Sequence, residues 1–434
     1  EREREMSGAA AGSAVAVARQ RKNKEKEERL EKFCMSLRKD ATKTNVNLSN
    51  GVLNDGWVAR IAMLMPRNVT MHKVDMSGNG LGLRSAEAIS GALTAKHSSL
   101  TSLSLCRNPL GAAGVSALAD FIRRNVTVEF LDISSVNMTD NGDSMEGVIN
   151  LASALEEAKG LTTLHMSSNN LTDFTGRTEG AAALAAALQV NQSLRTLDIS
   201  DNCLGVQGAR FLDECVVSNR TLTSLDISMN RIGGKGAQFI ASMLSRGSLA
   251  SLQTLNVSNN DLCGMYGEED LDAAKQLRDG IAAHEALTSL DLSHNAVTID
   301  CGKIIVEGLR KNTSLTQLEL AKGNHPTKGT ILLSEGRCLA NQRLAAICAG
   351  AEDVDDYDER RRTALHIASS HGCSAVIDRL LGEFDAATDV VERRNFTPLH
   401  CAVEVRDAPA IAALLAAGCD VDSQDKKGDT VLHK

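Results

Sequence analysis

LDISDNCL (Leu197–Leu204) and LDISMNRI (Leu225–Ile232) are one eight-residue phrase written twice, 28 residues apart. LSLCRNPL (Leu103–Leu110) and LDLSHNAV (Leu290–Val297) are the same phrase again. In the form L-x-L-x-x-N-x-L it returns ten times, and 28 is the commonest gap. A phrase that recurs at fixed spacing means stacked units, each burying its apolar face on the next. The Asn position holds Gly51, Asn79, Asn108, Val136, Asn169, Asn202, Asn230, Asn260, Asn295 and Gly323. An Asn buried there can bond the backbone of neighbouring turns, so the three other residues are expected to interrupt a ladder. Asn137 beside Val136 leaves room for a one-residue shift.

Between the phrases lie helical patterns such as GAAGVSALADFI (Gly111–Ile122), EGAAALAAALQV (Glu179–Val190) and GGKGAQFIASML (Gly233–Leu244). Leu and Ile at helical spacing face inward, and small residues at the start allow close packing. Each unit is strand, loop, helix, loop. Strands separated by a crossover helix must run parallel.

Ahead of the array, 1–29 is rich in charge and reads as a solvated extension. Leu30, Phe33, Cys34 and Leu37 then form one apolar helical face, expected to cap the first strand over 30–42. Behind the array, TALHIASSHG (Thr363–Gly372), TPLHCAVEVRD (Thr397–Asp407) and TVLHK (Thr430–Lys434) recur at 34 and 33 residues. In T-x-L-H the Thr caps a helix and the His packs between repeats. Pro326 and Gly329 suggest a linker over 326–342, with the second array occupying 343–434. That array stops inside its motif, so more repeats are expected downstream. The run from Glu352 to Glu359 followed by Arg360, Arg361 and Arg362 reads as a solvated surface.

The strand phrase followed by G-a-x-x-L-a-x-a-L resembles the ribonuclease-inhibitor-like class of leucine-rich repeats over about residues 43–325. The T-x-L-H units resemble ankyrin repeats. The resemblance implies an α/β solenoid, a horseshoe with parallel strands inside and helices outside, followed by an all-α ankyrin array. It also implies that the horseshoe's concavity binds protein.

Composition agrees with layered repeats. Aromatics are scarce, with eight Phe, two Tyr and one Trp, so the core is aliphatic. A net charge of −8 argues against a general nucleic-acid binder, which needs a basic face. Eleven cysteines without a C-x-x-C pair, no secretory leader and no apolar run of membrane length favour a reduced, cytoplasmic protein without a membrane span. Cys203 and Cys263, after the Asn, read as core. N-x-S/T sequons such as Asn191-Gln-Ser and Asn219-Arg-Thr fall just before each strand, where the repeat itself accounts for them.

The candidate site follows from strand geometry. Alternation points the residue between the two inward Leu positions to the open face. That column reads Asn47, Asp75, Ser104, Asp132, His165, Asp198, Asp226, Asn256, Asp291 and Glu319. With strands about 4.8 Å apart it is an acidic stripe. Asp75, Asp132, His165, Asp198, Asp226, Asp291 and Glu319 are the candidate partner-binding residues, suited to a basic segment. The competing reading is structural, with Asp bonding Ser or Thr on the next strand. Extra residues in MTDNGDSMEGV (Met138–Val148), LTDFTGRTEG (Leu171–Gly180) and LCGMYGEEDLD (Leu262–Asp272) add acidic loops between strand and helix. The G-x-G-x-G at Gly78, Gly80 and Gly82 lacks the spacing of a phosphate loop, and His366, His400 and His433 lie a repeat apart, so no cofactor or metal is expected. A non-enzymatic interaction scaffold is the leading expectation. The alternatives are a small-GTPase regulator, since Ran GTPase-activating proteins share the horseshoe, and the sensor portion of a larger NOD-like receptor.

Overall fold

The computed structural model describes residues 21 and 24–434, apart from 40–43, 52, 95–98, 173–176, 216–217, 246–250 and 266–267. The chain divides into two compact units at Asn170/Leu171.

The first unit opens with helix α1, 24–38, followed by β1 (Asn45–Asn47), α2 (Asp55–Ala62), β2 (Lys73–Asp75), α3 (Leu83–Leu93), β3 (Ser102–Ser104), α4 (Gly111–Arg124), β4 (Phe130–Asp132), α5 (Glu146–Glu157) and β5 (Thr163–His165). Its strands pair in parallel in chain order. Each is only three residues long, because one strand per repeat needs no more than one inward side chain flanked by two outward ones. Val74, Leu103, Leu131 and Leu164 fill that inward position and are buried, as are Met76, Leu105, Ile133 and Met166 two residues on. Each side chain so buried contributes about 1.5–3 kcal/mol. Helices of adjacent repeats approach closely: a Cβ on Gly147 would lie 2.8 Å from the Ala112 Cα.

Helix α1 covers the first repeat. Leu30, Cys34 and Leu37 are buried and Phe33 half-buried. Arg60 of α2 grips Glu31 through two bonds of 2.7 and 2.9 Å. The cap therefore begins at 24, not at 30. Residues 24–29 are helical but exposed, so this part of the charged extension is solvated without being irregular; apart from Arg21, which is also helical and exposed, the rest of 1–23 lies outside the described residues.

The second unit continues the pattern with α6 (Glu179–Val190), β6 (Thr196–Asp198), α7 (Gly205–Cys215), β7 (Ser224–Asp226), α8 (Gly233–Ser245), β8 (Thr254–Asn256), a small hairpin of β9 (Gly264–Met265) and β10 (Glu268–Glu269), α9 (Leu271–Ala283), β11 (Ser289–Asp291), α10 (Ile299–Glu307) and β12 (Gln317–Glu319). Strands β6, β7, β8, β11 and β12 again pair in parallel. Then comes helix α11 (Lys328–Cys348), and the helix pairs α12 (Ala364–His371) with α13 (Ser374–Gly382) and α14 (Pro398–Glu404) with α15 (Ala408–Ala416).

The 326–342 segment is not an open linker. From Lys328 it is part of a 21-residue helix capped by Thr327, whose hydroxyl accepts from the Thr330 N–H. Pro326 and Gly329 mark the start of that helix, where both are tolerated, rather than a break. The helix serves both arrays. Asn341 Nδ2 and Gln342 Nε2 donate to the Leu315 and Thr316 carbonyls beside the last strand, each at 2.8 Å. Its apolar residues Ala340, Leu344 and Ile347 join the core of the helix pairs. Arg337, wholly buried, donates to the carbonyls of Val306 (2.5 Å) and His371 (2.8 Å) and reaches Glu307 at 3.3 Å. Glu307 also meets Arg310, which pairs with buried Asp407.

Candidate functional site

The strand register brings the candidate residues into columns. In the first unit Asn47 pairs with Asp75, Asp75 with Ser104, Ser104 with Asp132 and Asp132 with His165. In the second, Asp198 pairs with Asp226, Asp226 with Asn256, Asn256 with Asp291 and Asp291 with Glu319. All are half-buried or exposed, on the sheet face turned away from the helices. His165 meets the Phe130 ring edge-on at 5.0 Å between centroids.

Each carboxylate also has a local task. Its first oxygen accepts the backbone N–H two residues on and closes the turn after the strand, as an Asx turn does. The bonds run from Ser77 to Asp75 (2.9 Å), Ser134 to Asp132 (3.0 Å), Ser200 to Asp198 (2.9 Å), Ser228 to Asp226 (2.9 Å) and Ser293 to Asp291 (2.8 Å). Glu319 does the same for Ala321 and Lys322, each at 3.2 Å. The second oxygen differs along the column. Asn47 donates to that of Asp75 (3.3 Å), Ser104 to that of Asp132 (3.0 Å) and Asn256 to that of Asp226 (2.7 Å). Among the described residues, the second oxygens of Asp198 and Asp291 take no such bond. No carboxylate of the column pairs with a cation among the described residues. The structural reading thus accounts for one oxygen of every carboxylate, which holds the turn, and for the second oxygen of Asp75, Asp132 and Asp226.

Behind the column runs the Asn ladder. Asn108 Oδ1 accepts the N–H groups of Asn79 (2.8 Å) and Leu81 (3.2 Å), while its Nδ2 donates to the carbonyls of Met76 (3.0 Å) and Leu105 (2.7 Å). Asn230, Asn260 and Asn295 repeat this in the second unit. Two expectations about its breaks change. The ladder does not stop at Gly323: Asn324, one residue later, accepts from Asn295 (2.9 Å) and donates to Leu292 (2.9 Å), so the last turn holds one extra residue. At Val136 no shift occurs; Val136 is fully buried in the ladder position and its N–H donates to Asn169, while Asn137 turns out to accept from Asn141. The residues on both sides of most ladder Asn sit at positive φ, as in Asp201 (53°) and Cys203 (57°), or Met229 (58°) and Arg231 (55°), whereas Asn108 and Asn324 have such a residue only before them, Arg107 (55°) and Gly323 (67°). Gly78 (63°) and Gly80 (70°) flank Asn79 in the same way, so the glycine cluster is the repeat's own turn made without strain. Cys203 and Cys263 are not equivalent: Cys203 directly follows its Asn, whereas Cys263 lies two places further and is fully buried.

The sequon asparagines form a second ladder, whose chemistry the sequence reading did not extract. Asn125 Oδ1 accepts from Thr127 (2.9 Å) and Val128 (2.7 Å), and its Nδ2 donates to Leu93 O (2.7 Å). Asn219 and Asn312 do the same toward Leu188 and Ile281. Asn125, Asn219 and Asn312 are buried, so a glycan on any of these three is incompatible with the folded repeat. The repeated Asn two residues before Ser or Thr was the available signal. His284 replaces Asn once, its Nδ1 accepting from Ala286 (3.2 Å) and Leu287 (3.0 Å).

Two of the inserted loops place an Asp at a helix start, one on the preceding repeat and one on its own. Asp140 accepts the Ala112 N–H at the start of α4 (3.2 Å), a favourable place for negative charge. Asp270 caps α9 through Ala273 (2.9 Å). Part of the 171–180 loop lies outside the described residues. Burial pushes Cys338, Cys373 and Cys401 up to about 12, in keeping with core thiols. Cys301 is the exception, drawn down to about 7 by bonds from Cys263 and Thr298 at the start of α10.

In the helix pairs, Thr363 and Thr397 cap α12 and α14, each with its hydroxyl 2.9 Å from Nδ1 of His366 or His400. The far nitrogen of each His reaches the next repeat, at Phe396 O (2.9 Å) and Asp429 O (3.5 Å). The histidines are latches between repeats, as the motif suggested, and burial holds both below the usual imidazole value.

Comparison with known proteins agrees with this geometry. The leucine-rich repeat family model matches 67–90, 96–119, 190–212 and 218–241. The model for ankyrin repeats in three copies matches 321–425, starting ahead of α11. The chain is a leucine-rich repeat protein with a C-terminal ankyrin array. It is similar to Inversin of Mus musculus, 34% identical over 124 residues, and of Canis lupus familiaris, 33% identical over 124 residues. Each match covers 28% of this chain and 11% of the relative. Both repeat types are protein-interaction modules, and among the described residues no helix is long and apolar enough to cross a membrane.

Proposed function

We propose that this protein is a non-enzymatic scaffold whose strand-face carboxylates dock a basic segment of a partner, with the ankyrin array offering a second site. The observation that carries this is the set of column carboxylates that make no ion pair among the described residues. A charge left unpaired at half burial is available to a partner and steers its approach. The turn role of each first oxygen fixes the side chain's direction, so a partner meets a preset row rather than mobile chains. The ribonuclease-inhibitor-like class and a cytoplasmic location belong to this proposal.

The test is charge removal without loss of the turn. Asp198→Asn with Asp291→Asn keeps the Oδ1 acceptor and deletes two charges. Fluorescence anisotropy with a labelled lysine-rich peptide is expected to show roughly fivefold weaker binding, a loss of about 1 kcal/mol, with an unchanged melt. Equal binding by both proteins overturns the docking role.

A further inference from the structure

We infer that the ankyrin finger turns carry a cationic ladder that docks an extended acidic peptide with a carboxylate at every third residue. Three turns share one geometry. In 358–362, 392–396 and 425–429 the first N–H donates to the fifth carbonyl (2.9, 3.0 and 2.9 Å), and the fourth N–H returns to the first carbonyl (2.9, 2.9 and 3.0 Å). The first residue of each is an acid: Asp358, Glu392 or Asp425. The third is a cation: Arg360, Arg394 or Lys427.

The acids and the cations face opposite ways. Each acid turns in and accepts the N–H of the cation's own residue, at 2.9 Å for Asp358, 3.0 Å for Glu392 and 2.7 Å for Asp425. Glu392 and Asp425 are buried and Asp358 half-buried. The three cations are exposed, and Arg361, Arg393 and Lys426 lie exposed beside them. Burying the anion under the turn and projecting the cation from it leaves a positive crest, although the whole chain carries −8. The middle cation is held in place, with the Arg394 guanidinium 4.1 Å from the Phe396 ring centroid, Nε 3.1 Å from Glu392 and Nη2 3.5 Å from exposed Glu404, so it is the most compensated of the three. Arg360 and Lys427 make no side-chain ion pair among the described residues. Adjacent turns touch, Arg393 donating to Glu359 O and the Lys426 N–H to Arg394 O (3.1 Å), so the crest is continuous.

Spacing selects the partner. Stacked helices lie about 8–10 Å apart, so successive cations repeat at that interval. An extended chain advances about 3.3 Å per residue, which brings every third side chain into step. A nucleic-acid backbone carries a charge every few Å, far denser than this crest. Exposed Asp353, Asp385 and Asp420 on the same fingers would repel such a backbone, whereas a sparsely charged peptide can avoid them.

The full chain is tested by anisotropy with two fluorescein-labelled peptides of identical composition, one with Glu at every third position and one with its Glu residues in a block. The spaced peptide is expected to bind more tightly, to weaken as salt rises, and to bind roughly tenfold less well to Arg360→Glu with Lys427→Glu. Circular dichroism confirms that this variant folds, and Arg360→Ser with Lys427→Ser, expected to show a smaller loss, is the fallback. Equal binding of the two peptides, or of the two proteins, overturns the inference. Tighter binding of a single-stranded oligonucleotide or of phosphatidylserine vesicles than of the spaced peptide overturns it in favour of phosphate. Self-association of the wild type that the variant abolishes overturns it in favour of a second copy.

Discussion

The two arrays solve one problem with different side chains. A repeat must be tied to its neighbour through buried polar bonds, since the stack has little long-range structure to lean on. The leucine-rich repeats use amides: Asn230 spans its neighbours with Nδ2 on Ile199 O (2.9 Å) and Oδ1 on the Asn202 N–H (2.9 Å), and it is fully buried. The ankyrin repeats use imidazoles, with His366 joining Thr363 to Phe396 O. An amide both donates and accepts and has no charge to gain. An imidazole does the same work only while neutral. The buried Asn ladder of the first array is therefore indifferent to protons, His284 being an imidazole exception in its second ladder, whereas the His ties of the second array are not.

The sharpest way to break the comparison is to remove one tie from the amide array. Asn230→Ala strands the carbonyls of Ile199, Ile227 and Ser228 and the N–H groups of Asn202 and Leu204. Each unsatisfied group costs about 1–3 kcal/mol, and water entering the gap recovers part of it, so a loss of about 4 kcal/mol is expected. Urea denaturation measures it. A loss below about 1 kcal/mol would mean that apolar packing, not the ladder, holds the repeats together.

Next in size is the junction, where the two kinds of tie meet. Arg337→Ala removes a buried guanidinium that joins α10, α11 and α12, and loss of one partner of such a pair costs about 3–5 kcal/mol. About 3 kcal/mol is expected here, because Glu307 stays half-exposed and keeps water. Calorimetry should then resolve the ankyrin helices melting before the leucine-rich repeats. A single transition at lower temperature would show that apolar contacts of α11 suffice to couple them.

Much of this was legible in the sequence, and the misses have physical causes. The strand columns followed from alternation alone, because a three-residue strand leaves no freedom of register. The T-x-L-H latch followed because a cap needs its Thr and His at fixed spacing. Helix α11 was missed because Pro326 and Gly329 look the same at a helix start as at a break, and because a helix shared by two arrays obeys neither period. Asn324 was missed because a one-residue insertion hides the position that backbone geometry restores. The turn role of the stripe could not be read, since alternation says where an Asp points but not which of its oxygens is already taken.

The proton sensitivity of the imidazole array gives the third prediction. Burial lowers His366, His371 and His400, so all are neutral in the fold near pH 7. Above about pH 6.5 both folded and unfolded imidazoles are neutral and contribute no difference. As pH falls below that value the unfolded chain binds protons first, and the folded state loses stability. Asp425, held down to about 2 chiefly by Lys434, acts in a separate window: its contribution is present above about pH 4 and is lost as pH falls toward 2. Hydrogen exchange at pH 7.5 and 5.5 should therefore show the ankyrin helices losing protection relative to α8 and α9, with an early melt lowered by roughly a few degrees. Equal losses in both arrays would remove the distinction between amide and imidazole ties.

The smallest effect falls within the strand column, where the comparison narrows to single oxygens. Asp291→Asn keeps the bond to the Ser293 N–H and removes only a charge that pairs with nothing among the described residues, so a change within about 0.5 kcal/mol is expected. Asp226→Ala loses the bonds from the Ser228 N–H and hydroxyl and from Asn256, and about 1–2 kcal/mol should go with them. If the two variants cost the same, the second oxygen of Asp226 does no structural work and the column is uniform. If Asp291→Asn proves the costlier, the charge itself stabilises the sheet face, and the row would belong to the fold rather than to a partner.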